Sequence, residues 1–182
     1  MPLLPNGAAK LEGATEDPLQ VGQQALDFER TDQNGKTVSL SDFAGKPVVL
    51  WAIGRWDNTI TLRQFTKFKA IASQVQAVGA NVVVLSTNYY ERNKQLTERV
   101  GGVDFPILDD ESHAFEAIST YEQPIIVETD VLVGTDYPIY LLDRNHKIIQ
   151  SINSEEFFSA EDDMGLVEQI RTIGQLKNGK PD

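Results

Sequence analysis

Cysteine is absent from all 182 residues. That zero removes disulfides, thiolate nucleophiles, zinc–thiolate sites and iron–sulfur clusters from the chemistry open to this chain. Histidine is nearly as scarce. His113 and His146 are the two, far apart in sequence, so a multi-histidine metal site is not expected. Positive charge is also in deficit: Lys and Arg number 16 against 27 Asp and Glu, for a formal net charge of −11. Such a chain repels phosphate backbones and anionic lipid, which argues against nucleic-acid and membrane partners. Long hydrophobic runs are missing too, and none approaches the roughly 20 apolar residues that span a bilayer. The opening MPLLPNGAAKLEGATEDP has no basic region followed by an apolar stretch, so no secretory signal is expected. The expectation is a soluble, cytoplasmic chain, although a protein without cysteine carries no mark of its redox compartment.

What is present is ordinary for one globular domain: 41% hydrophobic and 24% charged residues. Residues 1–19 hold prolines, glycines and few bulky apolar side chains, and read as a flexible arm. Residues 20–178 read as the domain and 179–182 as a fraying tail. Within the domain, the alternation over 26–32, the dipeptide Asn34-Gly35 and the segment Thr37–Leu40 predict a β-hairpin. Ser41-Asp42-Phe43 reads as a short helical turn closed by Gly45. The continuous apolar run Pro47–Ile53 predicts a strand buried on both faces. From Asn58 to Val78, apolar residues recur at threes and fours (Leu62, Phe65, Phe68, Val75), an amphipathic helix stopped by Gly79. Asn81–Ser86 is a second buried strand, which makes a right-handed parallel β-α-β unit. A helix is predicted over 90–100, ended by Gly101-Gly102, then an extended segment Asp104–Leu108 and a helix over Glu111–Ser119. Tyr137–Asp143 is a third strong strand. Arg144-Asn145-His146 turns it into an antiparallel partner over Lys147–Ile152. Ser159-Ala160-Glu161-Asp162 resembles a capping box opening a last helix to about Leu176.

Four stretches in this order carry a family resemblance: VGQQALDFERTDQNGKTVSLSDFAGKPVVLWA, GANVVVLSTN, FPILDD and YPIYLLDRNHKI. The chain resembles the peroxiredoxins of the alkyl hydroperoxide reductase/thiol-specific antioxidant family over about residues 20–175. The resemblance implies an α/β thioredoxin-like fold, a three-layer α/β/α sandwich with a central mixed sheet. It also implies an active site where the first buried strand meets the next helix, with a thiol at the helix N-terminus. Here that stretch is Gly54-Arg55-Trp56-Asp57-Asn58-Thr59-Ile60. Aligned on the thioredoxin Trp-Cys-x-x-Cys pattern, Trp56 remains and the cysteines are replaced by Asp57 and Ile60. Aligned on the peroxiredoxin pattern, the cysteine position falls near Ile60 or Thr61. Either way the sulfur is gone, and thiol peroxidase, disulfide reductase and isomerase chemistry go with it.

The candidate pocket consists of Arg55, Trp56, Asp57, Thr59, Thr61, Arg63, Tyr137 and Pro138. Asp57 has two readings. As an N-cap it accepts from an N–H two or three residues on, worth about 1 kcal/mol. As a general base it would be held ionised by the helix dipole, which weakens it at neutral pH, so the cap is the simpler reading. Arg55 and Arg63 beside a helix N-terminus and two threonines make a small-anion or carboxylate pocket, or else a solvated surface with an Arg–Asp pair. Trp56 is an exposed platform or a packing residue. The resemblance makes Pro138 the cis-proline that faces the active-site helix, against an ordinary trans proline. An arginine that peroxiredoxins hold near Tyr137 is missing. Both histidines read as exposed. The acidic clusters Asp109-Asp110-Glu111 and Glu161-Asp162-Asp163 fit helix starts and lack the spacing of a calcium loop.

No cofactor and no metal are expected. The favoured function is a cysteine-less relative that binds a protein partner or a small anionic or organic ligand at the former active site. An enzyme with thiol-independent chemistry there, through Asp57, Arg55 or Tyr137, is the alternative. A supporting subunit of an active, cysteine-bearing system comes third, and a homodimer is compatible with all three.

Overall fold

The computed structural model describes residues 20–25, 27–53, 59–109, 121–127, 130–136 and 138–175. Only the backbone course is described for Thr59, Ile60, Thr61, residues 121–127 and 130–136, and Glu155. The arm read over 1–19 and the helix read over 111–119 lie outside the described residues.

The centre is a five-stranded mixed sheet. Its strands are β3 (Val48–Ile53), β4 (Asn81–Ser86), β5 (Ile107–Asp109), β8 (Ile139–Leu142) and β9 (Ile148–Ile152), in the order β5-β4-β3-β8-β9. β3 pairs parallel with β4, and β4 parallel with β5; β8 runs antiparallel to both β3 and β9. An N-terminal hairpin, β1 (Glu29–Thr31) and β2 (Thr37–Ser39), forms its own two-stranded sheet, as does a hairpin of β6 (Tyr121–Val127) and β7 (Asp130–Asp136). The helices are α1 (Thr59–Ala77), α2 (Tyr90–Arg99), α3 (Ser154–Ser159) and α4 (Leu166–Gln175). None of the described helices is long and apolar enough to cross a membrane.

The apolar strands are continuous because both of their faces are covered, as the run Pro47–Ile53 predicts. All six residues of β3 are buried. Val49, Trp51 and Ile53 enter one core with Val82, Val84, Ile107 and Leu141, closed by Phe65 and Phe68 of α1, Leu96 of α2, Phe157 of α3 and Ile170 of α4. The alternate residues Val48 and Leu50 enter the other, with Val83, Leu85 and Tyr140, closed by Phe28, Val38 and Leu40 from the hairpin and the 3-10 turn over Leu40–Phe43. Trp51 is the centre of the helical side. Its ring lies 4.6 Å from Phe68, 4.9 Å from Phe158 and 5.9 Å from Phe65, all tilted as aromatic quadrupoles prefer.

Two readings need correction. His146 is not exposed: only 8% of its surface is accessible. It occupies the β8–β9 turn at φ 61°, the left-handed region where the family pattern carries glycine. Its carbonyl accepts from Ala25 N–H at 2.9 Å, so residues 22–25 lie over the turn and cover it. The last helix does not open at Ser159, which instead ends α3. Met164 (φ 53°) and Gly165 (φ 76°) break the chain before Leu166, and Asp163 starts α4 by accepting from the N–H groups of Gly165 and Val167. α3 itself was not foreseen. Asn153 caps it, its side chain accepting from Glu156 N–H at 2.9 Å.

Helix ends on both flanks of α1 are closed by lysines from α1. Lys69 Nζ donates to Val100 O at 2.9 Å, capping the end of α2. Lys67 Nζ donates to Phe158 O at 3.2 Å and to Ala160 O, capping α3 and holding Phe158 over Trp51. Because charged donors are worth more than neutral ones, Lys67→Met should lower the unfolding free energy by about 1–3 kcal/mol. Urea denaturation reads this directly. An unchanged midpoint would mean that water serves those carbonyls as well as the ammonium does.

Candidate functional site

Ligands of open α/β sheets gather outside the carboxyl ends of parallel strands, where loops leave the sheet and helix N-termini point inward. Here that end is where β3 stops at Ile53, β4 stops at Ser86, and α1 and α2 begin. Pro138, buried, sits one residue beyond the Trp51–Ile139 pair of β3 and β8, so it comes to the same end of the sheet. Topology thus brings together the start of α1, carrying Thr59, Thr61 and Arg63, and Pro138.

Arg63 is exposed and has no ion-pair partner among the described residues. Arg55, Trp56, Asp57 and Tyr137 lie outside the described residues, as does His113. So does one end of the Tyr137–Pro138 bond; among the described residues no peptide bond is cis. No group of three or more His, Asp or Glu side chains is placed to hold a metal ion, again among the described residues.

A polar cluster at this end was not singled out from the sequence. Ser86 and Asn93 are fully buried, and Asn88 is 6% exposed. Ser86 Oγ accepts from Asn88 Nδ2 at 2.9 Å and from Asn88 N–H at 3.2 Å; Asn88 O accepts from Asn93 Nδ2 at 3.2 Å. Thr87 N–H donates to Ile53 O at 3.1 Å, which ties the β4–α2 turn to the end of β3. The turn is therefore fixed by buried amides rather than by apolar packing, and Asn93 Oδ1 has no donor among the described residues. The signal was available: Asn93 lies three residues before buried Leu96, on the face of α2 that the core takes. Next along the chain after Asn88 come Tyr89 and Tyr90, 41% and 39% exposed. A hydrogen bond to the Glu91 carboxylate, with its charge, pushes the Tyr90 phenol pKa above its ordinary value.

The profile of the AhpC/TSA family matches residues 21–151. The chain is 29% identical over 109 residues to the chloroplastic peroxiredoxin Q of Triticum aestivum, covering 60% of this chain and 50% of that one. It thus spans about half the length of that relative. It is 26% identical over 147 residues to the thiol-disulfide oxidoreductase ResA of Bacillus thuringiensis subsp. konkukian (strain 97-27), covering 78% and 74%. Among solved structures, peroxidoxin BcpB from Mycobacterium tuberculosis superposes with a TM-score of 0.67 at 20% identity, covering 85% of this chain and 98% of that one. The fold is that of thioredoxin-like peroxiredoxins.

Proposed function

Since this chain belongs to the AhpC/TSA family and yet contains no cysteine, we propose that it acts by binding, without thiol redox chemistry. The occupant is a protein partner or a small anionic or organic ligand, held at the carboxyl ends of β3 and β4. One observation carries this reading: a fold of redox proteins, complete in its sheet, has lost every sulfur that could form a sulfenic acid or a mixed disulfide. The hydrogen-bonded turn over Ser86–Asn88 and the exposed tyrosines that follow it in the chain support it, because a binding surface needs positioned polar and aromatic groups more than it needs a nucleophile.

The purified chain should therefore not reduce hydrogen peroxide or organic hydroperoxides with dithiothreitol or thioredoxin as reductant. Chelated, metal-free samples are compared with a heat-denatured control. Turnover above that control would sink the reading, since it would require peroxide chemistry that does not pass through sulfur.

A further inference from the structure

We infer that Asn34 is a site of spontaneous deamidation whose rate is set by the carboxylate of Asp32. The loop between β1 and β2 places Asn34 and Gly35 in solvent. Gly35 stands at φ 79°, and apart from its chain neighbours no atom among the described residues lies within 4 Å of where a Cβ would sit, so no other side chain crowds the peptide that must close the ring. The Gly35 nitrogen attacks Asn34 Cγ, a C–N bond forms, the Cγ–Nδ2 bond breaks, and ammonia leaves with the Gly35 proton. Water then opens the cyclic imide at one carbonyl or the other, giving aspartate or isoaspartate. The sum is one water consumed and one ammonia released, with no oxidant or reductant.

Asp32 restrains this reaction. It is 6% exposed, and its Oδ1 accepts from Asn34 N–H at 2.8 Å and from Lys36 N–H at 2.9 Å. The nucleophilic Gly35 N–H is itself donated to Asp32 O at 3.0 Å. These bonds must open before the attack can occur. The consequence reaches the sheet, because the next residue along the loop, Gln33, pins the edge strand. Its Nε2 donates to Phe105 O at 3.0 Å, and its Oε1 accepts from Ile107 N–H at 2.7 Å. Isoaspartate at 34 adds a methylene to the backbone beside this clamp and loosens it.

The test is peptide mapping by mass spectrometry after incubation of the folded protein in mildly alkaline buffer. A one-dalton gain is expected on the peptide carrying residues 31–36, slower than in a synthetic peptide of that sequence. Asn34→Asp shows no gain. Mapping also separates this site from Asn178-Gly179, which repeats the dipeptide outside the described residues. Asp32→Ala should speed the gain about tenfold, the equivalent of about 1.4 kcal/mol of loop closure. If Asp32→Ala fails to fold, Asp32→Asn keeps an acceptor oxygen without its charge and should give a smaller acceleration. No gain at Asn34 in the wild type and the Asp32 variants, while the synthetic peptide converts, overturns the proposal. So does a folded Asp32 variant that converts at the wild-type rate.

Discussion

Trp51→Ala should cost about 3–5 kcal/mol of unfolding free energy, the range seen when a large buried aromatic is truncated. Domains of this kind have about 5–15 kcal/mol in total, so a large share of the fold's stability depends on one side chain. The reason is its position: Trp51 is 2% exposed in the middle of β3 and touches aromatics from two different helices, Phe65 and Phe68 of α1 and Phe158 of α3. Removing the indole leaves a cavity that α1 cannot close by itself, because the sheet and α3 hold the other walls. Trp51→Phe fills most of that space and should cost far less. Urea unfolding followed by circular dichroism measures both. If the alanine variant lost under 1 kcal/mol, the aromatic cluster would be packing incidentally rather than tying α1 and α3 to the sheet.

The strands around Trp51 were legible because their pattern has one physical cause. Pro47–Ile53 and Val82–Leu85 are apolar throughout, and only a strand covered on both sides tolerates that. Gly79 marked the end of α1 for a similarly direct reason: it sits at φ 94°, where other residues are strained. What escaped was decided by tertiary context. Ser159-Ala160-Glu161-Asp162 has the local form of a capping box, yet Lys67 claims the carbonyls of Phe158 and Ala160 from across the core and ends a helix there. His146 reads as an exposed turn residue until the segment before β1 folds over it. The hairpin of β6 and β7 was not foreseen, since Pro124 argues against a strand and no Asn-Gly dipeptide marks its turn. At the candidate site, the β3–α1 junction was singled out through the family resemblance, not from composition or periodicity. The Ser86–Asn88–Asn93 cluster was not, because polar residues at a strand end look like any loop until their burial is known.

A thiol restored to this junction should be acidic. α1 runs 19 residues from Thr59, so its first turn presents backbone N–H groups with no partner inside the helix and the positive end of a long dipole. A thiolate there is stabilised as it is in the redox proteins the chain resembles. Asp57→Cys with Ile60→Cys, three residues apart as in the thioredoxin motif, should give at least one thiol with a pKa well below the unperturbed value of about 8.5. On mild oxidation the pair should close a disulfide. Ile60→Cys alone stands in the described first turn of α1 and isolates the helix effect from any contribution of position 57. Thiolate absorbance against pH measures the acidity, and free-thiol titration after oxidation measures the bridge. A lowered pKa in the single variant with no bridge in the double one would keep the helix N-terminus and reject the register that sets Asp57 and Ile60 at the two cysteine positions. Ordinary or raised values in both variants would show that the start of α1 no longer offers its N–H groups to the former active site. Binding at the carboxyl ends of β3 and β4 would then have to rest on the β4–α2 turn and its tyrosines alone.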